Sequence, residues 1–296
     1  NVLIAAINLI ADRHPVLKVV YRSDEEGNSK QHVLSSDIQL QRTEISDAKL
    51  ASKVEADCQQ PFDLTAEASF RVHHYQTTQH QYLLLLWHHI AFDGWSIEVF
   101  FRELIQAYGA FCEKQVPALP MLDIDYRDYA LWQREYMKGE TLAELNNYWL
   151  EALSGYEPLA LPLDKHRPAQ FDYIGSDHTF SLDETLSQGL RELAQNHETT
   201  LYTVLLSGFY LTLSTITGQQ DVIVGSPSDN RHHSQTQDLI GFFVNALALR
   251  AQISPNSSAD SLIPYIHKVV SGAKVNQELP FEQVVELLDV PRESSR

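Results

Sequence analysis

The sequence predicts an α/β protein of two lobes, and three features carry that reading. Residues 82–87 (YLLLLW) form an apolar run bounded by polar residues and too short for a membrane span, the mark of a strand buried on both faces. After turn residues 91–94, apolar positions recur at Ile97, Phe100, Phe101, Leu104, Ile105, Tyr108 and Phe111, the spacing of one helical face, with Ser96 as its cap. Over residues 159–170 the composition changes sharply and Pro162 and Pro168 intervene, placing the boundary between an N-terminal lobe, residues 1–165, and a C-terminal lobe, residues 166–296.

The other elements follow in chain order. Residues 2–11 are helical in pattern, yet nothing precedes Asn1 to cap them, so the chain reads as starting inside a helix. Pro15 turns the chain into a strand through Tyr21, and the polar stretch DEEGNSK reverses it into QHVL. Ser46 opens a helix with Leu50, Val54 and Cys58 on one stripe, which PFDL at residues 61–64 ends. ASFRVHHY, the polar turn at residues 76–81 and the apolar run form a hairpin, with His73 and His74 as ordinary strand residues. Beyond Pro117 and Pro120, residues 125–153 read as two helices hinged near Gly139. The second lobe reads as a strand at 173–182, an amphipathic helix through His197 and a buried helix at 200–217. A strand running into a polar loop (DVIVGSPSDNR) and a strand at 240–250 follow.

Composition narrows the function classes. Thirty-nine acidic against 22 basic residues give a net charge of −17, which opposes nucleic-acid and anionic-membrane binding. Cys58 and Cys112 are distant in sequence, so neither a disulfide nor a zinc framework is visible and a reducing cytoplasm fits. With 44% hydrophobic residues, the chain can bury a substantial core.

His88 and His89 end the apolar strand, and neighbouring strand side chains leave opposite faces, so only one can address any one cavity. Asp93 and Gly94 follow where the strand feeds the helix. A metal site at His89 and Asp93 lacks a third ligand at workable spacing. Taken alone, a histidine pair beside an aspartate turn belongs to a core. The full order His88-His89, three residues, Asp93-Gly94 resembles the core signature of condensation domains in nonribosomal peptide synthetases, members of the chloramphenicol acetyltransferase-like superfamily.

The resemblance extends along the chain in the family's order. Arg13 and His14 match the second motif, with Lys18 where a second arginine is usual. Asp128, Tyr129, Ala130, Trp132 and Gln133 match the fourth, and Tyr148 and Trp149 a downstream aromatic pair. Gly241, Phe243, Val244, Asn245 and Arg250 match the fifth, with Ala246 replacing threonine. Residues 276–282 match the sixth, with Asn276 replacing histidine, and residues 291–296 begin the seventh. On the family pattern the chain is a condensation-domain fragment truncated at both ends.

What the resemblance implies is a two-lobed fold, each lobe a β-sheet with helices, and an active site at the lobe junction reached by a tunnel from two faces. The implied activity is amide formation between a donor acyl or peptidyl thioester and an acceptor aminoacyl thioester. Both ride on 4'-phosphopantetheine arms of carrier proteins, beside adenylation and carrier domains of one synthetase, with no intrinsic cofactor and no metal. His89 is the implied catalytic histidine, as base or as stabiliser of the tetrahedral intermediate, with His88 beside it. Gly94 N–H is the implied oxyanion donor, and Asp93 is first the structural partner of Arg13 and, as the second choice, a catalytic acid. Trp95, Ser96, Trp132 and Asn245 are implied to line the site. The alternatives are an epimerization domain, whose motif usually continues differently after Asp-Gly, and a non-catalytic carrier-protein docking module. A coenzyme A-dependent acyltransferase would not share the later motifs, and a cyclization domain would carry aspartate where His88 stands.

Overall fold

A computed structural model of the chain describes residues 2–165 and 175–290. The chain separates into two compact units, Asn1–Glu135 with Arg231–Val244, and Tyr136–Asn230 with Asn245–Arg296. This departs from a division at residue 165, because a composition shift marks where regular structure lapses and does not register which core a helix joins. Leu145, Trp149 and Leu153 pack into the core of the second unit.

In the first unit, α1 (Val2–Arg13) leads through a short 3-10 turn, Pro15–Lys18, to the hairpin of β1 (Val19–Ser23) and β2 (Ser29–Val33). A three-stranded sheet follows in the order β3 (Leu40–Glu44), β4 (Phe70–Gln76), β5 (Gln81–Trp87). β3 runs parallel to β4, reached through α2 (Asp47–Gln59), and β5 antiparallel with Phe70 opposite Trp87. Along β4 the two-residue period sends Phe70 and Val72 into the core. There they join Ile7 and Ile10 of α1 and Val99, Phe100 and Leu104 of α3 (Gly94–Cys112). Each such fully buried side chain contributes about 1.5–3 kcal/mol. On the alternate positions, Tyr75 donates to the buried Asp57 at 2.5 Å. None of the expected α2 stripe is fully buried: Leu50 and Val54 are half-buried and Cys58 is exposed, and the buried residue of the helix is Asp57 instead. α4 (Tyr126–Tyr136) ends at the division between the units.

β5 is not buried on both faces. It lies at the edge of its sheet among the described residues, and every one of its residues is partly or fully exposed.

The second unit contains α5 (Gly139–Leu153), α6 (Glu184–Asn196), α7 (Leu201–Thr217), β6 (Asp221–Ser228), β7 (Asn245–Gln252), α8 (Ala259–Val275) and α9 (Phe281–Leu287). β6 and β7 pair antiparallel, from Asp221 opposite Gln252 to Ser228 opposite Asn245. Leu247, Leu249 and Ala251 alternate into a core with Trp149, Tyr210, Leu213 and Ile266. Thr200 caps α7 by accepting from Thr203 N–H, and Gly218 at φ +72° ends it in the left-handed conformation that suits glycine. The strand expected at 173–182 is not formed over 175–182, and residues 173 and 174 lie outside the described residues. So do part of the expected lobe boundary and the seventh-motif residues Arg292 and Arg296.

Candidate active site

The turn that carries the two histidines is closed from below by aromatic rings. Trp87, the last residue of β5, stacks on Phe92 at 4.4 Å, and Phe100 of α3 meets Trp87 edge-on at 5.2 Å. With Ala91 and Phe92 buried, the residues between bulge outward. Both histidines lie beyond the strand end, so strand alternation does not separate them; the turn does. His88 accepts from Ile90 N–H through Nδ1 at 3.1 Å and sets its ring against Phe62. His89 is exposed, and its Nδ1 lies 2.6 Å from the Phe92 carbonyl oxygen. A carbonyl only accepts, so Nδ1 carries the proton and Nε2 of the neutral ring keeps its lone pair for a reactant.

Asp93 is the N-cap of α3, accepting from Ser96 N–H at 2.9 Å. The cap is therefore one turn earlier than Ser96, which sits buried inside the first turn and donates from Oγ to Asp93 at 2.7 Å. Asp93 also accepts from Phe243 N–H at 3.1 Å and from Arg231 Nη2 at 3.0 and 3.1 Å. The Asp93 and Arg231 side chains are 0% and 1% exposed. Arg231 further donates to the carbonyls of Thr236 and Leu239, and its guanidinium lies 4.1 Å from the Phe243 ring centre.

Arg13 is thus not the partner of Asp93. It ends α1, which packs along α3, and it meets Glu103 at 2.9 Å. Ten residues separate Asp93 from Glu103, about 15 Å of helix at 1.5 Å per residue, so α1 delivers Arg13 to the middle of α3 rather than to its start. Buried His14 donates to the other Glu103 oxygen at 2.9 Å and accepts from Ile240 N–H through Nδ1 at 3.3 Å. Burial pushes the Glu103 carboxyl up, but the hydrogen bonds of His14 and Arg13 and the Arg13 charge outweigh it and hold the group below the usual carboxylate range. Lys18 pairs with Asp12 at 2.7 Å.

Residues 240–244, expected to open a strand, take no regular structure; β7 starts at Asn245. Side chains hold this segment instead. Ser96 Oγ, whose one proton goes to Asp93, accepts from Gly241 N–H at 3.1 Å, and Tyr126 OH donates to the Phe242 carbonyl at 2.7 Å. Burial raises the Tyr126 phenol well above its ordinary value, so it stays protonated as a donor.

The remaining expected residues divide. Gly94, the first residue of α3, is exposed, and a Cβ there would meet nothing within 4 Å, so the fold itself does not require glycine. Trp95 is 42% exposed, with its indole N–H donated to the Gln237 carbonyl at 2.8 Å. Trp132 lines a cavity of about 310 Å³ with Tyr129, His233 and Thr236 in the first unit. Asn245, expected to line the site, is a staple of the second unit: its amide donates to the carbonyls of Gln277 and Leu279, and its oxygen accepts from Ala246 and Phe281 N–H. That occupies both amide hydrogens and leaves no donor for a substrate. Arg231 is the residue sequence reasoning missed. It sits in a polar loop 138 residues from Asp93, and the one available signal was that a helix-start aspartate held in a core requires a cation.

Comparison with known proteins bears on this geometry. The condensation-domain family model matches residues 1–296. The chain is 37% identical over 98% of its length to N-(5-amino-5-carboxypentanoyl)-L-cysteinyl-D-valine synthase of Amycolatopsis lactamdurans, and 35% identical over 97% to malpinin synthetase of Mortierella alpina. It spans only 8% and 4% of those two proteins. Among solved structures it is similar to a four-domain nonribosomal peptide synthetase bound to AMP and glycine, with a TM-score of 0.86 and 24% identity over 100% of this chain and 22% of that one. It is also similar to the X-domain in its complex with OxyB from teicoplanin biosynthesis, with a TM-score of 0.92 and 24% identity over 100% of this chain and 66% of that one. At such identities the structural likeness shows the fold.

Proposed function

The chain belongs to the condensation-domain family, and from that premise we propose that it joins a donor acyl or peptidyl thioester to the amine of an acceptor aminoacyl thioester. Both substrates are presented on phosphopantetheine arms by carrier proteins of a synthetase that also holds adenylation domains. The observation that carries the reading is the His89 ring, whose Nδ1–H is committed to the Phe92 carbonyl while Nε2 is left to accept a proton. The amine nitrogen attacks the thioester carbon and the C–S bond breaks. The amine proton passes through His89 Nε2 to the departing thiolate. An α-amine with an ordinary pKa of about 8 is partly neutral at pH 7, so the histidine has mainly to orient it and take its proton as the N–C bond forms. Negative charge on the carbonyl oxygen is met by the Gly94 N–H at the positive end of α3.

Asp93 has no catalytic part in this scheme; its oxygens are occupied by Arg231, Ser96 and Phe243. A single-turnover reaction between a loaded donor and a loaded acceptor carrier protein, followed by mass spectrometry of the product, tests the proposal. His89→Ala should reduce amide formation at least a hundredfold without lowering the melting temperature. Equal yield from the variant would remove His89 from the chemistry. Binding of both carrier proteins without any amide from the unaltered chain would favour a docking module.

A further inference from the structure

Phe242 is the one residue of the 240–243 segment whose side chain is turned outward. Ile240 and Phe243 are buried on either side, whereas Phe242 is 37% exposed. The backbone around it is held at four successive residues by side chains from elsewhere in the first unit. His14 takes Ile240 N–H, Ser96 takes Gly241 N–H, Tyr126 donates to the Phe242 carbonyl, and Asp93 takes Phe243 N–H. The Phe242 ring meets the His89 imidazole edge-to-face, with centres 5.0 Å apart and planes at 80°.

A histidine ring on a turn is otherwise free to rotate about its last side-chain bond, a broad and roughly two-fold torsion. Half a turn would exchange Nδ1 for a carbon, break the contact with the Phe92 carbonyl and point Nε2 elsewhere. One hydrogen bond on an exposed turn resists that only weakly, and a ring fixed against the imidazole blocks it. We infer that Phe242 is a positioning residue: clamped through its backbone, it locks the His89 imidazole in the orientation that keeps Nδ1–H on Phe92 and Nε2 toward the reactants. The inference rests on the condensation reading only for its effect on turnover.

The test reads the imidazole directly. Long-range proton–nitrogen correlation spectra of the chain, with His89 signals assigned by their loss in His89→Gln, should show one tautomer protonated at Nδ1. Phe242→Ala should give averaged nitrogen shifts for His89, and Phe242→Tyr, which keeps the ring, should restore the single tautomer. Phe242→Leu, which keeps apolar bulk without the ring, should also average them and serves if the alanine variant loses its native amide spectrum. In carrier-protein turnover, Phe242→Ala should lower kcat at least tenfold with KM unchanged, and Phe242→Tyr should recover most of it. An unaltered His89 signature in the alanine or leucine variant would overturn the positioning role, even if amide forms normally in the wild type. Averaged shifts in a chain whose wild type makes no amide would leave positioning in place and reject the condensation reading.

Discussion

Replacing Asp93 by alanine exposes how the first unit is held together at its site. The carboxylate is fully buried and accepts from Ser96 N–H, Ser96 Oγ, Phe243 N–H and Arg231. Its loss strands a buried guanidinium, and removing one partner of a buried ion pair costs about 3–5 kcal/mol. Leaving Phe243 N–H unpaired belongs to the same defect and places the expected loss near the top of that range, about 4–5 kcal/mol. Arg231→Ala should cost less, about 3 kcal/mol, because three donors still face Asp93, while the carbonyls of Thr236 and Leu239 and the Ser96 hydroxyl lose a donor. In the double variant neither charge remains, so the cost should fall about 2 kcal/mol short of the sum, within the range for residues in direct contact. Arg13→Ala combined with Asp93→Ala should be additive to about 0.5 kcal/mol, since Arg13 serves Glu103. Urea unfolding with matched m-values measures all five variants. Coupling below about 0.5 kcal/mol between Asp93 and Arg231, or above that between Asp93 and Arg13, would refute the assigned network.

Three further outcomes are expected. Gly94→Ala should fold with unchanged or slightly raised stability, as its Cβ meets nothing within 4 Å, yet lower amide turnover at least tenfold by placing a methyl beside the proposed oxyanion donor; unchanged turnover in the same assay would remove Gly94 N–H from the site. Glu103→Gln should cost stability most above about pH 4.5, because a carboxyl whose folded pKa is depressed stabilises above its unfolded value and loses that contribution as pH falls through the folded one. The wild-type advantage in urea midpoint should therefore shrink between pH 5 and acid, and a pH-independent difference would contradict the Glu103 pairing. His88→Asn should lower the melting temperature through its lost contacts with Ile90 and Phe62 while changing turnover less than His89→Ala; the reverse order would exchange the two roles.

Elements whose pattern is local were legible in the sequence. The apolar spacing from Ile97 to Phe111 marks α3, the Gly139 hinge separates α4 from α5, and the β4–β5 hairpin follows from two strand-like runs about a polar turn. Elements fixed by distant partners were not. β3 is short and mostly exposed, LQRTE, and becomes a strand only through parallel pairing with β4. α8 carries Pro264 inside it, which argues against a helix until its buried face on Leu262, Ile266 and Val270 is seen. The apolar run of β5 does not signal its burial, because such a run reports composition, whereas exposure depends on whether a neighbour covers the strand. At the site, His89, Asp93 and Gly94 stand together in sequence and remain together in space. The ion pairs do not: Asp93 with Arg231 and Arg13 with Glu103 span 138 and 90 residues, and neither end carries a periodic signature.

Why this site is built on buried charge can be argued from what an apolar core could not do. Exchanging a buried ion pair for well-packed hydrophobic residues is often neutral or stabilising by about 1–4 kcal/mol, so stability alone does not explain the arrangement. The segment from Ile240 to Phe243 has no strand or helix to satisfy its backbone, yet buried peptide groups need partners. Asp93, Ser96, His14 and Tyr126 supply them, and Arg231 neutralises the aspartate that does so. Gly241 completes the arrangement: a Cβ there would lie 2.2 Å from Tyr126 Cδ2 and 2.8 Å from the Phe243 ring, so only glycine lets the tyrosine lie against the backbone and reach the Phe242 carbonyl. A hydrophobic replacement of the pair could fill the volume but would leave Phe243 N–H and the carbonyls of Thr236 and Leu239 without partners. The charges are kept because they fix a segment that carries no regular structure, and fixing it places Phe242 against the imidazole of His89.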